Sequence, residues 1–162
     1  MGSEAGASAL ASAFVAGPAE LSLVDDVHEA LESLWEQAPG VGDEDRMLFA
    51  LAVSEVATNV VEHAEGAAPA QVTVTLTVDD AALTAVLTDD ADPALIRLGE
   101  VSMPGADAES GRGLALALAT LDELIHEPEG GNVWRLRRFR RDASASSPSD
   151  SGDPARPDSA PT

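Results

Sequence analysis

The stretch SEVATNVVEHAE, residues 54–65, sets a carboxylate and a carboxamide four positions apart, at Glu55 and Asn59, with Glu62 and His63 following. On a helix this spacing puts Glu55 and Asn59 on one face, roughly 6 Å apart along the axis. A pair of oxygen donors at that distance can share one hydrated hard cation, because Mg²⁺ takes oxygen ligands and keeps most of its waters. The plainer alternative is a polar stripe facing solvent, and spacing alone does not choose between the two.

Two further stretches carry chemistry. In GRGLALALA, residues 111–119, Gly111 and Gly113 leave backbone N–H groups unshielded at a helix start, where the dipole favours anions, and Arg112 adds a fixed positive charge. That combination suits a polyphosphate, while the alternative is a flexible loop closed by an ordinary helix start. In VLTDDADPAL, Asp89 or Asp90 can accept a hydrogen bond from an exocyclic amine, or else the pair is a polar strand end before Pro93.

These residues need elements to position them. Placing residues 47–64 at about 100° per residue gathers Met47, Phe49, Ala50, Leu51, Val53, Val56, Ala57, Val60, Val61 and Ala64 on an apolar arc of roughly 220°. Glu55, Asn59, Glu62 and His63 fill the remaining sector. A helix this apolar must be packed on most sides, so its polar strip faces water or lines a pocket. Asp43 is its expected N-cap and Ala64 its approximate end. An earlier helix is expected over 18–37, with Pro18 in its first turn and Val24, Val27, Leu31, Leu34 and Trp35 at helical spacing. Before it, ASAFVAG reads as a short edge strand. QVTVTLTVDD alternates with period two, and ALTAVLTD, after a turn at Asp79 and Asp80, reads as its hairpin partner. Residues 90–112 read as a long loop, of the kind that is usually functional in a compact domain. A third helix is expected from Leu114 to His126 and a final strand over NVWRLRRF. Helices on one face of a mainly antiparallel sheet, an α+β architecture, fit this order.

Composition narrows the function. The 162 residues include 29 acidic and 9 basic side chains, a formal net charge of −20, a field that repels nucleic acid and anionic membranes. Every cation is arginine, and five of them crowd into WRLRRFRR. Without lysine, neither a phosphate-loop site nor a two-lobed protein kinase is possible. With no cysteine there is no disulfide or thiolate metal site. No apolar run reaches the roughly 18 residues of a membrane span, and a cytoplasmic location is expected. The expected organisation is an unstructured N-terminus over 1–11, one folded domain over 12–141 and an unstructured Asp/Ser/Pro/Ala tail over 142–162.

SEVATNVVEHA, LTDDADP and ESGRGLALA, in this order on helix, strand end and helix start, together resemble the nucleotide site of the GHKL, or histidine-kinase-like, ATPase superfamily. The closer resemblance is to the anti-sigma factor serine/threonine kinases, and it covers about residues 12–141. It implies a two-layer α/β sandwich with an ATP site between helices and a mobile lid, here about Leu95 to Ser110. It makes Asn59 the Mg²⁺ ligand, Glu55 the general base and Asp89 the partner of the adenine amine, with Gly111, Arg112, Gly113 and Leu114 around the phosphates. His63 receives no role from it. The sequence departs from the family at one place: Ala91 and Pro93 stand where an Asp-x-Gly-x-Gly pattern has glycines.

The resemblance further implies a cytoplasmic regulator, of stress response or sporulation, that is often a homodimer. Such a protein sequesters an alternative RNA polymerase sigma factor and phosphorylates a serine or threonine on a STAS-domain anti-anti-sigma factor, using ATP and Mg²⁺. A second function also fits, a non-catalytic sequestering module with a degenerate nucleotide site. Glu55 and Asn59 favour the first, and Ala91 and Pro93 the second. A sensor histidine kinase is not expected, because no phosphoacceptor helix pair precedes the domain, nor a repair or topoisomerase ATPase, because the chain has no room for a transducer domain.

Overall fold

The computed structural model describes residues 8–64, 68–93, 98–100 and 112–141. Strand β1 (Ala11–Pro18) leads into helices α1 (Leu21–Gln37) and α2 (Asp43–His63), followed by the hairpin strands β2 (Gln71–Val78) and β3 (Ala82–Asp89). After a single 3₁₀ turn at Leu98–Glu100 come helix α3 (Arg112–Thr120) and a second hairpin, β4 (Glu123–Glu127) and β5 (Asn132–Phe139). The strands form one sheet in the order β1-β2-β3-β5-β4, with every neighbouring pair antiparallel. The α+β architecture and the edge position of ASAFVAG are as the sequence predicts.

The period-two strands explain why the sheet has one covered face. Val72, Val74, Leu76 and Val78 of β2, Leu83, Ala85 and Leu87 of β3, and Trp134 and Leu136 of β5 are all buried beneath the helices. Each valine or leucine among them, withdrawn from water, contributes about 1.5–3 kcal/mol. The helices return Leu23, Val27, Leu31 and Leu34 from α1, and Phe49, Val53, Val56 and Val60 from α2. Trp35 meets the Phe49 ring edge-on at 6.3 Å, and the Arg46 guanidinium lies over Trp35 while donating to the carbonyls of Val41 and Pro39 in the α1–α2 turn.

Several boundaries differ from expectation. Pro18 belongs to β1, paired with Gln71, and α1 starts three residues later. The N-cap position of α2 is Gly42, and Asp43 joins Glu44 and Asp45 in the first turn, where carboxylates meet the positive end of the helix dipole. The third helix stops at Thr120, and residues 123–126, expected to be helical, belong to β4. Cross-strand pairing wins there, because the hairpin with β5 gives ELIHE a full ladder along VWRLR. Met47 and Leu51, expected on the packed arc, are exposed at 64% and 36%. The arc drawn from apolarity is wider than the face that the neighbours cover.

One charged pair closes the core. Asp45 and Arg138 are 1% and 3% exposed, and Arg138 Nε donates to Asp45 Oδ1 at 2.8 Å. Arg138 Nη1 also donates to the Thr120 carbonyl at the end of α3, and Asp45 Oδ2 accepts the Arg141 backbone N–H. These bonds tie the start of α2, the end of α3 and the end of β5 together. Nearby, Asp122 accepts from the Phe139 N–H and from the Arg141 guanidinium. Partial burial pushes its carboxyl up, but those hydrogen bonds and the charges of Arg141 and Arg138 outweigh it and hold the group below its ordinary value of 3.8.

Candidate functional site

Helix α2 supplies the first wall. Its buried residues commit one face to the core, and Asn59 and Glu55 lie half-buried beside that face. The two polar residues then part ways. Glu55 lies against the first turn of α3: a Cβ built on Gly113 would overlap Glu55 Oε2 and stand 3.4 Å from its Cδ. Only a residue without a side chain lets α3 come so near. The Glu55 carboxylate thus packs beside the first turn of α3, near the positive end of that helix's dipole.

Asn59, one turn on, opens into a cleft. Its lining comes from α2 through Asn59, Val60, His63 and Ala64, from the end of β3 through Asp89, Ala91 and Asp92, and from β5 through Asn132 and Trp134. The cleft continues past His63 and Ala64 over Ala68, Pro69 and Ala70. Glu62 points to solvent, so the polar sector of the helix divides into a residue against α3, a cleft wall, a solvated residue and, at His63, an exposed rim.

Asp89 is buried because it continues the inward register of Leu83, Ala85 and Leu87 to the strand end. Its Oδ1 accepts two hydrogen bonds, from the Ala91 N–H at 3.0 Å and from Asn132 Nδ2 at 2.9 Å. Asn132 sits directly opposite in the ladder and is itself buried. It also donates to the Asp92 carbonyl at 3.3 Å, and its Oδ1 lies 2.9 Å from His126 Nε2. The His126 ring rests on Trp134, with centroids 4.4 Å apart. The neighbouring Asp90 turns the other way, its Oδ1 accepting the Gln71 N–H at 2.6 Å. Of the two aspartates left open by the sequence, Asp89 is the one held in the buried network.

The turn before β5 makes this pairing possible. Gly131 has φ +140°, and a Cβ there would overlap the Asp89 carbonyl oxygen and approach Asp90 Cα to 3.2 Å. Any side chain would push β5 away from the end of β3. At Ala91 no such demand exists, since no non-glycine residue among those described has a positive φ. The alanine closes an ordinary turn by donating back to Asp89.

Asn59 and Asp89 thus line one cleft, with Glu55 a turn away beside Gly113. Arg112 begins α3 and Leu114 packs partly buried against the core. Gly111 lies outside the described residues, as does the expected lid apart from the turn at Leu98–Glu100. Asn132, His126 and Gly131 are the residues that sequence reasoning missed. The available signal was an asparagine at an inward position of NVWRLRRF directly after two glycines.

The donors suit a hydrated cation carried in with a ligand rather than a cage made by the protein. Asn59 offers a carboxamide on the cleft wall, and among the described residues no three His, Cys, Asp or Glu side chains gather to hold a metal. That set fits Mg²⁺, which takes few protein ligands when phosphates and water complete its shell.

A sequence profile of the histidine kinase-like ATPase domain matches residues 17–138, from the end of β1 to β5. No curated protein matches the chain.

Proposed function

Because the chain belongs to the histidine kinase-like ATPase domain family, we propose that the cleft between α2 and the β3–β5 strand ends binds ATP with Mg²⁺. We further propose that the protein is a serine/threonine kinase acting on a protein partner. The observation that carries this reading is the convergence of Asn59 and Asp89 on one cleft from elements thirty positions apart, with Glu55 a turn before Asn59. Asp89, an acceptor-only carboxylate, selects the exocyclic amine of adenine. Asn59 would hold the cation, whose chemistry when bound is to offset charge on the phosphates. Glu55 accepts the proton of the attacking hydroxyl as that oxygen bonds to the terminal phosphorus and the bond to the nucleoside diphosphate breaks.

The resemblance of the three motifs to anti-sigma factor kinases supports the finer assignment: sequestration of an RNA polymerase sigma factor and phosphorylation of a STAS-domain antagonist, with a homodimer as the working form. A net charge of −20 suits a protein partner rather than direct contact with nucleic acid. The substitution of Ala91 and Pro93 for the family's glycines favours a second reading, a sequestering module that holds its partner without phosphotransfer.

Calorimetry with Mg-ATP and a labelled phosphotransfer assay against candidate antagonists test both. Wild-type binding that Asn59→Ala abolishes, with phosphotransfer to the antagonist, supports the kinase. Unchanged Mg-ATP affinity in Asn59→Ala excludes the metal role, and tight partner binding without phosphotransfer leaves the module.

A further inference from the structure

We propose that Asn132 and His126 set the base selectivity of the cleft, by fixing which oxygen of Asp89 is left to meet a nucleobase; this rests on the nucleotide-binding reading above. The direction of every hydrogen bond in the chain follows from one fact. An ionised carboxylate only accepts, so the Asn132 group facing Asp89 must be its amide nitrogen, 2.9 Å from Oδ1. The amide oxygen then faces His126 at 2.9 Å, and an oxygen only accepts, so His126 Nε2 carries the proton. The order is His126 to Asn132 to Asp89, each donating to the next.

The consequence lies at the far end. Asp89 Oδ1 is engaged twice, by Asn132 and by the Ala91 N–H, and these two bonds fix the plane of the carboxylate. No donor among the described residues reaches Oδ2, and Asp89 lines the cleft. A fixed acceptor with no donor beside it welcomes an exocyclic amine and opposes a carbonyl oxygen at the same place. Asn132 cannot rotate its amide to offer that carbonyl a donor, because doing so would set its oxygen against the Asp89 carboxylate, while His126 Nε2–H holds the amide oxygen on the other side. Both are positioning residues. Selectivity for a purine with an amine where guanine has its carbonyl is therefore built from β4 and β5 as much as from Asp89.

The test is a comparison of affinities for ATP, GTP and the purine nucleoside triphosphate that carries hydrogen in place of the amine, for the wild type, Asn132→Leu, His126→Leu and His126→Gln. A hydrogen bond to a charged group is worth about 1.5–3 kcal/mol, which is roughly 10- to 150-fold in affinity. Asn132→Leu should lose about tenfold or more for ATP while keeping its affinity for the amine-free nucleotide, so that discrimination among the three collapses. His126→Leu should shift in the same direction by less, and His126→Gln, which retains a donor, should restore discrimination. Equal weakening towards all three nucleotides would make these residues structural and overturn the inference while leaving the site in place. Should Asn132→Leu not fold, His126→Leu decides alone, and unchanged discrimination there overturns it. A wild-type protein that binds no nucleotide removes the site reading and this inference together.

Discussion

Glu55 and Gly113 show how one missing methyl group can govern a reacting group. Gly113 is helical, where alanine is usually favoured by about 0.8–1.0 kcal/mol, yet a Cβ there overlaps the end of the Glu55 side chain. The obstacle is a flexible carboxylate rather than backbone, so the side chain can move aside. Gly113→Ala should therefore leave the melting temperature unchanged or slightly raised, while phosphotransfer falls because Glu55 has been displaced. Thermal unfolding run beside the transfer assay checks this, and a parallel loss of both would place the role of Gly113 in packing. Glu55→Gln keeps the shape and removes the base, so phosphotransfer should drop by about 10²–10⁴-fold with Mg-ATP affinity retained. Single-turnover kinetics on the preformed complex measures that step separately from binding.

At the scale of elements, the joint between α2, α3 and β5 rests on Asp45 and Arg138. Removing one partner of a buried pair strands the other, so Asp45→Ala should cost about 3–5 kcal/mol in a denaturant titration. Replacing both residues with apolar ones should cost much less. Asp122 gives a pH-dependent counterpart. Its folded pKa is depressed below 3.8, so its contribution is complete above that value and disappears as pH falls through the lower folded pKa. Asp122→Asn should match the wild type's fall in stability less steeply in that acid window, as melting temperatures below pH 4 would report. Much of this architecture is legible in the sequence, because QVTVTLTV and ALTAVLTD alternate without interruption and the Glu55–Asn59 spacing marks a helix face. β4 is not, since LALALATLDELIH keeps apolar residues at intervals that a helix also satisfies, and only pairing with β5 decides. The Asn132 and His126 pairings are equally hidden, because they exist only through cross-strand register. Asp89 is legible through its place in the motif, but the bonds that hold it, and the turn of Asp90 towards Gln71, are not.

The whole molecule is strongly anionic, and at −20 its surface charges repel one another in the compact state. Salt screens exposed charges over about 10 Å at 0.1 M and about 3 Å at 1 M. Raising sodium chloride from low millimolar to about 0.5 M should therefore raise the melting temperature, and the Asp45→Ala penalty should persist because that pair is shielded from solvent. A melting temperature that falls with salt would mean that attractive surface pairs outweigh the repulsion. The sheet order also constrains the protein as it is being made. β3 pairs with β5, not β4, and Asp89 stands 43 residues ahead of the asparagine that orients it. At about 5–20 residues per second, a ribosome takes roughly 2–9 s to supply that partner. Until then the inner edge of β3 is an open ladder, Asp45 has no arginine and the cleft lacks a wall. A nascent chain stalled at Glu127 should accordingly bind no nucleotide and recruit chaperones through that edge, whereas one extended to Arg141 and clear of the exit tunnel should do neither. β5, the last strand among the described residues, thus acts as the checkpoint between synthesis and competence.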